Sequence, residues 1–135
     1  MGIPRRVKTL KLAAKKIVGD YGGVIPSDEQ TLLSLPGVGP YTAAIVQIVG
    51  FSSPASPIDT NIDRLFRRYF GVRKPLKVQA LSKEVFDNKR PSKILFATMD
   101  FSALVCKAKN PCHDKCPLKK ECNYHRIRQY TKKTN

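Results

Sequence analysis

The chain has 135 residues, with 25 Lys and Arg against 10 Asp and Glu, a formal net charge of +15. That length suits one domain with a packed core, and no apolar run approaches the ~20 residues that span a bilayer. A charge excess of this size points to a polyanion partner, of which nucleic acid, an anionic membrane surface and acidic proteins are the three classes.

The periodicity is helical almost throughout, and an all-α fold is expected. Val7, Leu10, Ala14, Ile17 and Val18 recur at helical spacing, and Asp20-Tyr21-Gly22-Gly23 ends that segment. Ser27, three residues before Gln30, reads as a capping box for a short helix carrying Leu32 and Leu33. Gly37 and Gly39 make a turn, and Pro40 suits the first position of a helix that buries Ala44, Ile45, Ile48 and Val49. Ser52 to Pro57 is a loop. Asp59 then caps a helix running through Ile62, Leu65, Phe66 and Tyr69 to a stop at Gly71. Leu81 and Val85 mark another helix. Pro91-Ser92 opens the last one, with Ile94, Leu95, Thr98, Phe101 and Val105 on one face and Cys106 at its end.

The first residues, Met1 to Arg6, lack the apolar core of a secretory signal, so a cytoplasmic protein is expected. In such a reducing compartment, four clustered cysteines are metal ligands more readily than disulfides.

Between two helices, Gly37 and Gly39 bracket a single apolar residue. Glycine lets the backbone turn sharply and aim N–H groups outward, and the start of the next helix adds partial positive charge. That makes an anion site, although two glycines alone are equally a helix–helix connector. The full string Leu35-Pro36-Gly37-Val38-Gly39-Pro40-Tyr41-Thr42-Ala43 resembles the helix-hairpin-helix element of the base-excision DNA glycosylases. That superfamily contains endonuclease III and the adenine and thymine mismatch glycosylases. The resemblance implies that Gly37, Val38 and Gly39, flanked by Leu35 and Thr42, grip the DNA backbone beside the lesion.

Ile58-Asp59-Thr60-Asn61-Ile62 is similar to the segment that carries the family's catalytic aspartate. Cleaving an N-glycosidic bond builds positive charge on the sugar, which a fixed carboxylate stabilises, and the same group can orient or deprotonate water. A helix N-cap alone is the plain alternative for Asp59, and the two roles are compatible. The endonuclease III branch carries a lysine where this chain has Tyr41, and no lysine lies between Ser34 and Arg64. Without an amine there is no Schiff base, so the resemblance implies a monofunctional glycosylase of the mismatch branch, leaving an abasic site. Tyr41 is its candidate catalytic or pocket-wall residue. The base would be adenine (A·G, A·8-oxoguanine) or thymine and uracil (G·T, G·U) in duplex DNA.

All four cysteines, Cys106, Cys112, Cys116 and Cys122, fall in one window with the spacing C-x5-C-x3-C-x5-C. Such density suits Zn²⁺ or an iron–sulfur centre. The strings FATMDFSALVC and CPLKKEC resemble the family's [4Fe–4S] loop, which implies these four as cluster ligands. The family pattern is C-x6-C-x2-C-x5-C. Here the second cysteine comes one place early and His113 stands at its position. Lys107 and Lys109 in that loop are candidate phosphate contacts, and Arg64, Arg67, Arg68, Arg73 and Lys74 extend the basic face.

The resemblance runs from about Gly2 to Cys122 and covers only the second part of the family. Its implied organisation is a helical region over 1–105, a cluster loop over 106–122 and a basic tail over 123–135. The family's earlier helices would then be missing or carried by another chain, and the exposed partner face of the Ile45–Val49 helix would be sticky. The reading is an enzyme of prokaryotic, nucleoid-associated base-excision repair. The alternative is a non-catalytic DNA-binding fragment or remnant of such an enzyme.

Overall fold

A computed structural model describes residues 3–133 and the side chains of residues 6–129. It is all-helical, with no strand among the described residues. The chain divides into two compact units, Met1–Pro57 and Ile58–Asn135.

The first unit holds α1 (Ile3–Tyr21), α2 (Glu29–Leu33) and α3 (Pro40–Ile45), the last running into a π-helical stretch, Val46–Gly50. Its core is Leu32, Leu35 and Ala43, with Ile17, Tyr21, Val38 and Val46 packed against them. Of the expected apolar face of α1, Ile17 packs on this core, while Val7, Leu10 and Val18 are exposed; Ala13, outside that face, is buried.

The α2 cap lies one residue later than the capping-box reading. Asp28, not Ser27, is the N-cap, and its Oδ1 accepts from the Thr31 amide at 2.8 Å. That hydrogen bond holds the Asp28 carboxyl below the usual carboxylate value. In the hairpin helix Ala44 and Ile48 are buried as expected and Ile45 half-buried, but Val49 stays 47% exposed, because the π-helical turn shifts the register after Ile45.

The second unit packs α4 (Thr60–Phe70), α5 (Pro75–Phe86), α6 (Pro91–Leu104) and α7 (Asn123–Lys133). Ile62, Leu65 and Phe66 of α4 meet Val78 and Phe86 of α5 and Leu95 of α6 in its core. Phe66 stacks on Phe86 at 6.5 Å and meets Phe70 edge-on at 5.7 Å. Gly71, at φ +70, ends α4, and the Asn123 side chain lies where a Cβ on it would project. The segment after Cys122 is a helix and not merely a basic tail. Asn123 ties it to α4 by donating to the Tyr69 carbonyl at 3.1 Å.

Candidate nucleic-acid interface and metal centre

The hairpin is built by a turn in which the Val38 amide donates to the Leu35 carbonyl at 3.1 Å. Its two glycines are there for different reasons. Gly37 has φ +79, and a Cβ on it would overlap the Thr9 methyl of α1. Gly39 is extended, at φ −98, and a Cβ there would meet nothing within 4 Å. The fold itself does not require glycine at that place, whereas a ligand approaching the backbone would. The amides of Gly37 and Gly39 have no hydrogen-bond partner among the described residues, and Gly39 is the N-cap of α3 without a capping side chain. Thr42 is exposed one turn into α3 and Tyr41 half-buried beside it. Leu35 is 4% exposed and its side chain belongs to the hairpin's core. The Val38 amide is occupied in the turn.

Asp59 is the N-cap of α4 and is half-buried. Its Oδ1 accepts from the amides of Asn61 (2.9 Å) and Ile62 (2.7 Å), and its Oδ2 from the Asn61 side-chain amide (3.0 Å). A cap of this kind is worth about 0.5–2 kcal/mol, and it leaves the carboxylate with one orientation. The Asn61 Oδ1 accepts in turn from Arg64, whose guanidinium donates to the carbonyls of Ser102 (3.0 Å) and Cys106 (3.1 Å). One side-chain relay thus connects the carboxylate to the start of the cysteine loop.

Arg68, one turn further on α4, donates to the carbonyls of Lys107 (2.6 Å) and Ala108 (3.0 Å) and lies over the Tyr124 ring. Arg64 satisfies the Ser102 carbonyl in the last turn of α6, and both arginines tie down carbonyls of the loop that follows it. They hold the loop and are not free cations on a DNA face, which corrects the sequence reading for this pair. Arg67 is also engaged, with Asp63 at 2.7 Å and with the Arg73 carbonyl. The i, i+4 spacing of Arg64 and Arg68 was a visible signal of one working helix face; the carbonyls opposite were not. Lys107 and Lys109 are exposed, as the phosphate reading needs.

Cys106, Cys112, Cys116 and Cys122 are all free thiols and half-buried. Cys106 Sγ lies 3.6 Å from the Arg68 guanidinium, and Cys122 Sγ donates to the Arg68 carbonyl at 3.6 Å. Burial pushes the Cys116 thiol up, and the neighbouring Cys122 and Cys106 add to that. No three His, Cys, Asp or Glu side chains among the described residues stand close enough to share a single metal ion. Four half-buried thiols are the donor type that both zinc and iron–sulfur centres take.

Beside it, His113 stacks on Tyr124 and pairs its Nδ1 with His125 Nδ1 at 3.2 Å, while its buried Nε2 has no partner. An unpaired buried polar atom costs about 1–3 kcal/mol. Burial, with the positive groups His125, Arg128 and Arg68 nearby, holds the His113 imidazole below its usual value.

The helix-hairpin-helix motif family matches residues 20–46. The chain is 32% identical over 127 residues to a thymine/uracil-DNA glycosylase of Methanothermobacter thermautotrophicus, covering 90% of this chain and 58% of that protein. It is 35% identical over 114 residues to endonuclease III of Thermotoga maritima, covering 83% and 54%. The solved structure of a thermostable thymine-DNA glycosylase superposes with a TM-score of 0.86 at 32% identity, over 91% of this chain and 59% of that one. The chain therefore spans little more than half the length of these relatives. The chain thus carries the helix-hairpin-helix motif and, over little more than half of their length, resembles the base-excision DNA glycosylases in sequence and in fold.

Proposed function

We propose that the chain acts in base excision as a monofunctional DNA glycosylase, hydrolysing the N-glycosidic bond of a mispaired base in duplex DNA. Thymine or uracil opposite guanine is the leading substrate, in keeping with the thymine/uracil-DNA glycosylase it resembles, and adenine opposite guanine or 8-oxoguanine is second. The observation that carries this reading is the Asp59 carboxylate, fixed by three hydrogen bonds in the relay to the cysteine loop. As the bond between the sugar's anomeric carbon and the base nitrogen breaks, its electron pair leaves with the base. Asp59 stabilises the positive sugar and takes a proton from the water that adds to it. The products are the free base, protonated from solvent, and an abasic site. Tyr41, lacking an amine, forms no Schiff base, so the backbone stays intact.

The open amides of Gly37 and Gly39 at the start of α3 bind phosphate, with Thr42 one turn into that helix, and Lys107 and Lys109 of the cysteine loop make further phosphate contacts. Cys106, Cys116 and Cys122 supply three thiolates to a [4Fe–4S] cluster, and the fourth ligand comes from the Cys112–His113 pair. The cluster, when bound, supplies a rigid cross-link for the basic loop.

The test is single-turnover base release on G·T, G·U, A·G and A·8-oxoguanine duplexes, with and without alkali. Cleavage only after alkali is expected. Asp59→Asn keeps the cap, since asparagine caps equally well, and should slow release at least on the order of a hundredfold with duplex binding unchanged. A second reading is a DNA-gripping module without catalysis, in which Asp59 serves only as the N-cap of α4. Salt-sensitive binding without release from any of the four duplexes would establish it instead.

A further inference from the structure

From Cys112 onward the loop has an ordered turn structure that separates its two candidate fourth ligands. The Cys116 amide donates to the His113 carbonyl (3.2 Å), the Lys119 amide to the Cys116 carbonyl (3.3 Å), and the Cys122 amide to the Lys119 carbonyl (3.4 Å). Successive bonds of this i to i+3 type place every third side chain on one side. Burial follows the same register. Residues 113, 116, 119 and 122 are half-buried with exposed residues between them, and Cys112 is half-buried as well. The turn register, rather than burial, groups His113 with Cys116 and Cys122. Cys112 stands one residue out of that register, its amide committed to the Val105 carbonyl at 2.9 Å.

The His113–Cys116 turn is also the spacing of a metal knuckle, with two residues between ligands. Ligating histidines hold their second ring nitrogen by a hydrogen bond. Here Nδ1 is held by His125, whose Nε2 meets the Gln129 side-chain amide at 2.9 Å, and Nε2 of His113 is left buried and unpaired. The proton relay along Gln129, His125 and His113 has two directions, set by which end of the Gln129 amide faces His125. With the amide nitrogen there, His113 buries an N–H that has no acceptor. With the oxygen there, Nδ1 of His113 carries the proton and Nε2 keeps a buried, unshared lone pair.

We propose that His113, and not Cys112, completes the ligand set with Cys106, Cys116 and Cys122, giving a three-thiolate, one-imidazole centre. This rests on the cluster assigned under the proposed function and deepens it. Imidazole ligation of an iron–sulfur centre has chemical precedent and raises its reduction potential.

The test is anaerobic reconstitution of the full chain with ferrous iron and sulfide, reading iron and sulfide per chain, visible absorption and nitrogen hyperfine coupling in the reduced state. Wild type and Cys112→Ser should take up equal iron and show one nitrogen coupling. His113→Ala should lose most of its iron. His113→Cys should regain it without the coupling, which also controls for folding. Loss of iron in Cys112→Ser with retention in His113→Ala would overturn the proposal, as would a wild-type cluster without nitrogen coupling. A wild-type chain that takes up no iron would overturn the cluster reading itself, a distinguishable failure.

Discussion

At the scale of single residues, the two hairpin glycines look alike in the sequence and differ in cause. Gly37 is needed by the fold, because both its φ of +79 and the Thr9 methyl exclude a side chain. Gly39 is not, because its backbone is ordinary and its surroundings are empty. Gly37→Ala should therefore lower stability by at least ~1 kcal/mol. Gly39→Ala should leave thermal unfolding unchanged and weaken duplex binding several-fold, since a methyl group would stand where a phosphate approaches. Thermal denaturation and a binding titration on both variants separate the two effects, and equal affinity for Gly39→Ala and wild type would remove the hairpin from the interface. The pair of glycines was legible in the sequence. Their division of labour was not, since Thr9 comes from a helix that sequence proximity does not bring near. Asp59 was legible for a local reason, as its cap partners lie two and three residues away.

At the scale of elements, α4 does more than pack. One face presents Ile62, Leu65 and Phe66 to the core, while Arg64 and Arg68 reach the end of α6 and the cysteine loop. The sequence placed these arginines on a basic surface because their partners are backbone carbonyls some forty residues on, which carry no residue-type signal. The helix α7 was missed because its segment, NYHRIRQYTKK, is too polar to show an apolar stripe. It is held instead by Asn123 and by Tyr124 against Arg68. Arg68→Ala should loosen residues 106–108, visible as faster amide hydrogen exchange there, with α5 unaffected. Arg68→Lys should not rescue, because a lysine cannot bridge the Lys107 and Ala108 carbonyls while lying flat on the Tyr124 ring. Full protection in the lysine variant would mean that charge alone holds the loop.

At the scale of the whole molecule, the net charge of +15 was the earliest legible fact, and the structure changes what it means. Several cations are already spent on the protein itself: Arg64 and Arg68 on carbonyls, and Arg67 on Asp63. The exposed Lys107 and Lys109 remain available to a polyanion. Contacts of these exposed lysines with phosphate would be electrostatic and blind to sequence. Duplex affinity should then fall steeply with salt, and matched and mismatched duplexes should share nearly the same slope. Replacing Lys107 and Lys109 together by alanine should reduce that slope by about two, because each lysine releases one counterion when it meets a phosphate. The same change at Arg64 or Arg68 should leave the slope almost unaltered and act through stability instead. A titration of affinity against salt for these variants decides the matter. If the double lysine variant keeps the wild-type slope, the cysteine loop faces away from the duplex, and the hairpin carries the phosphate contacts without it.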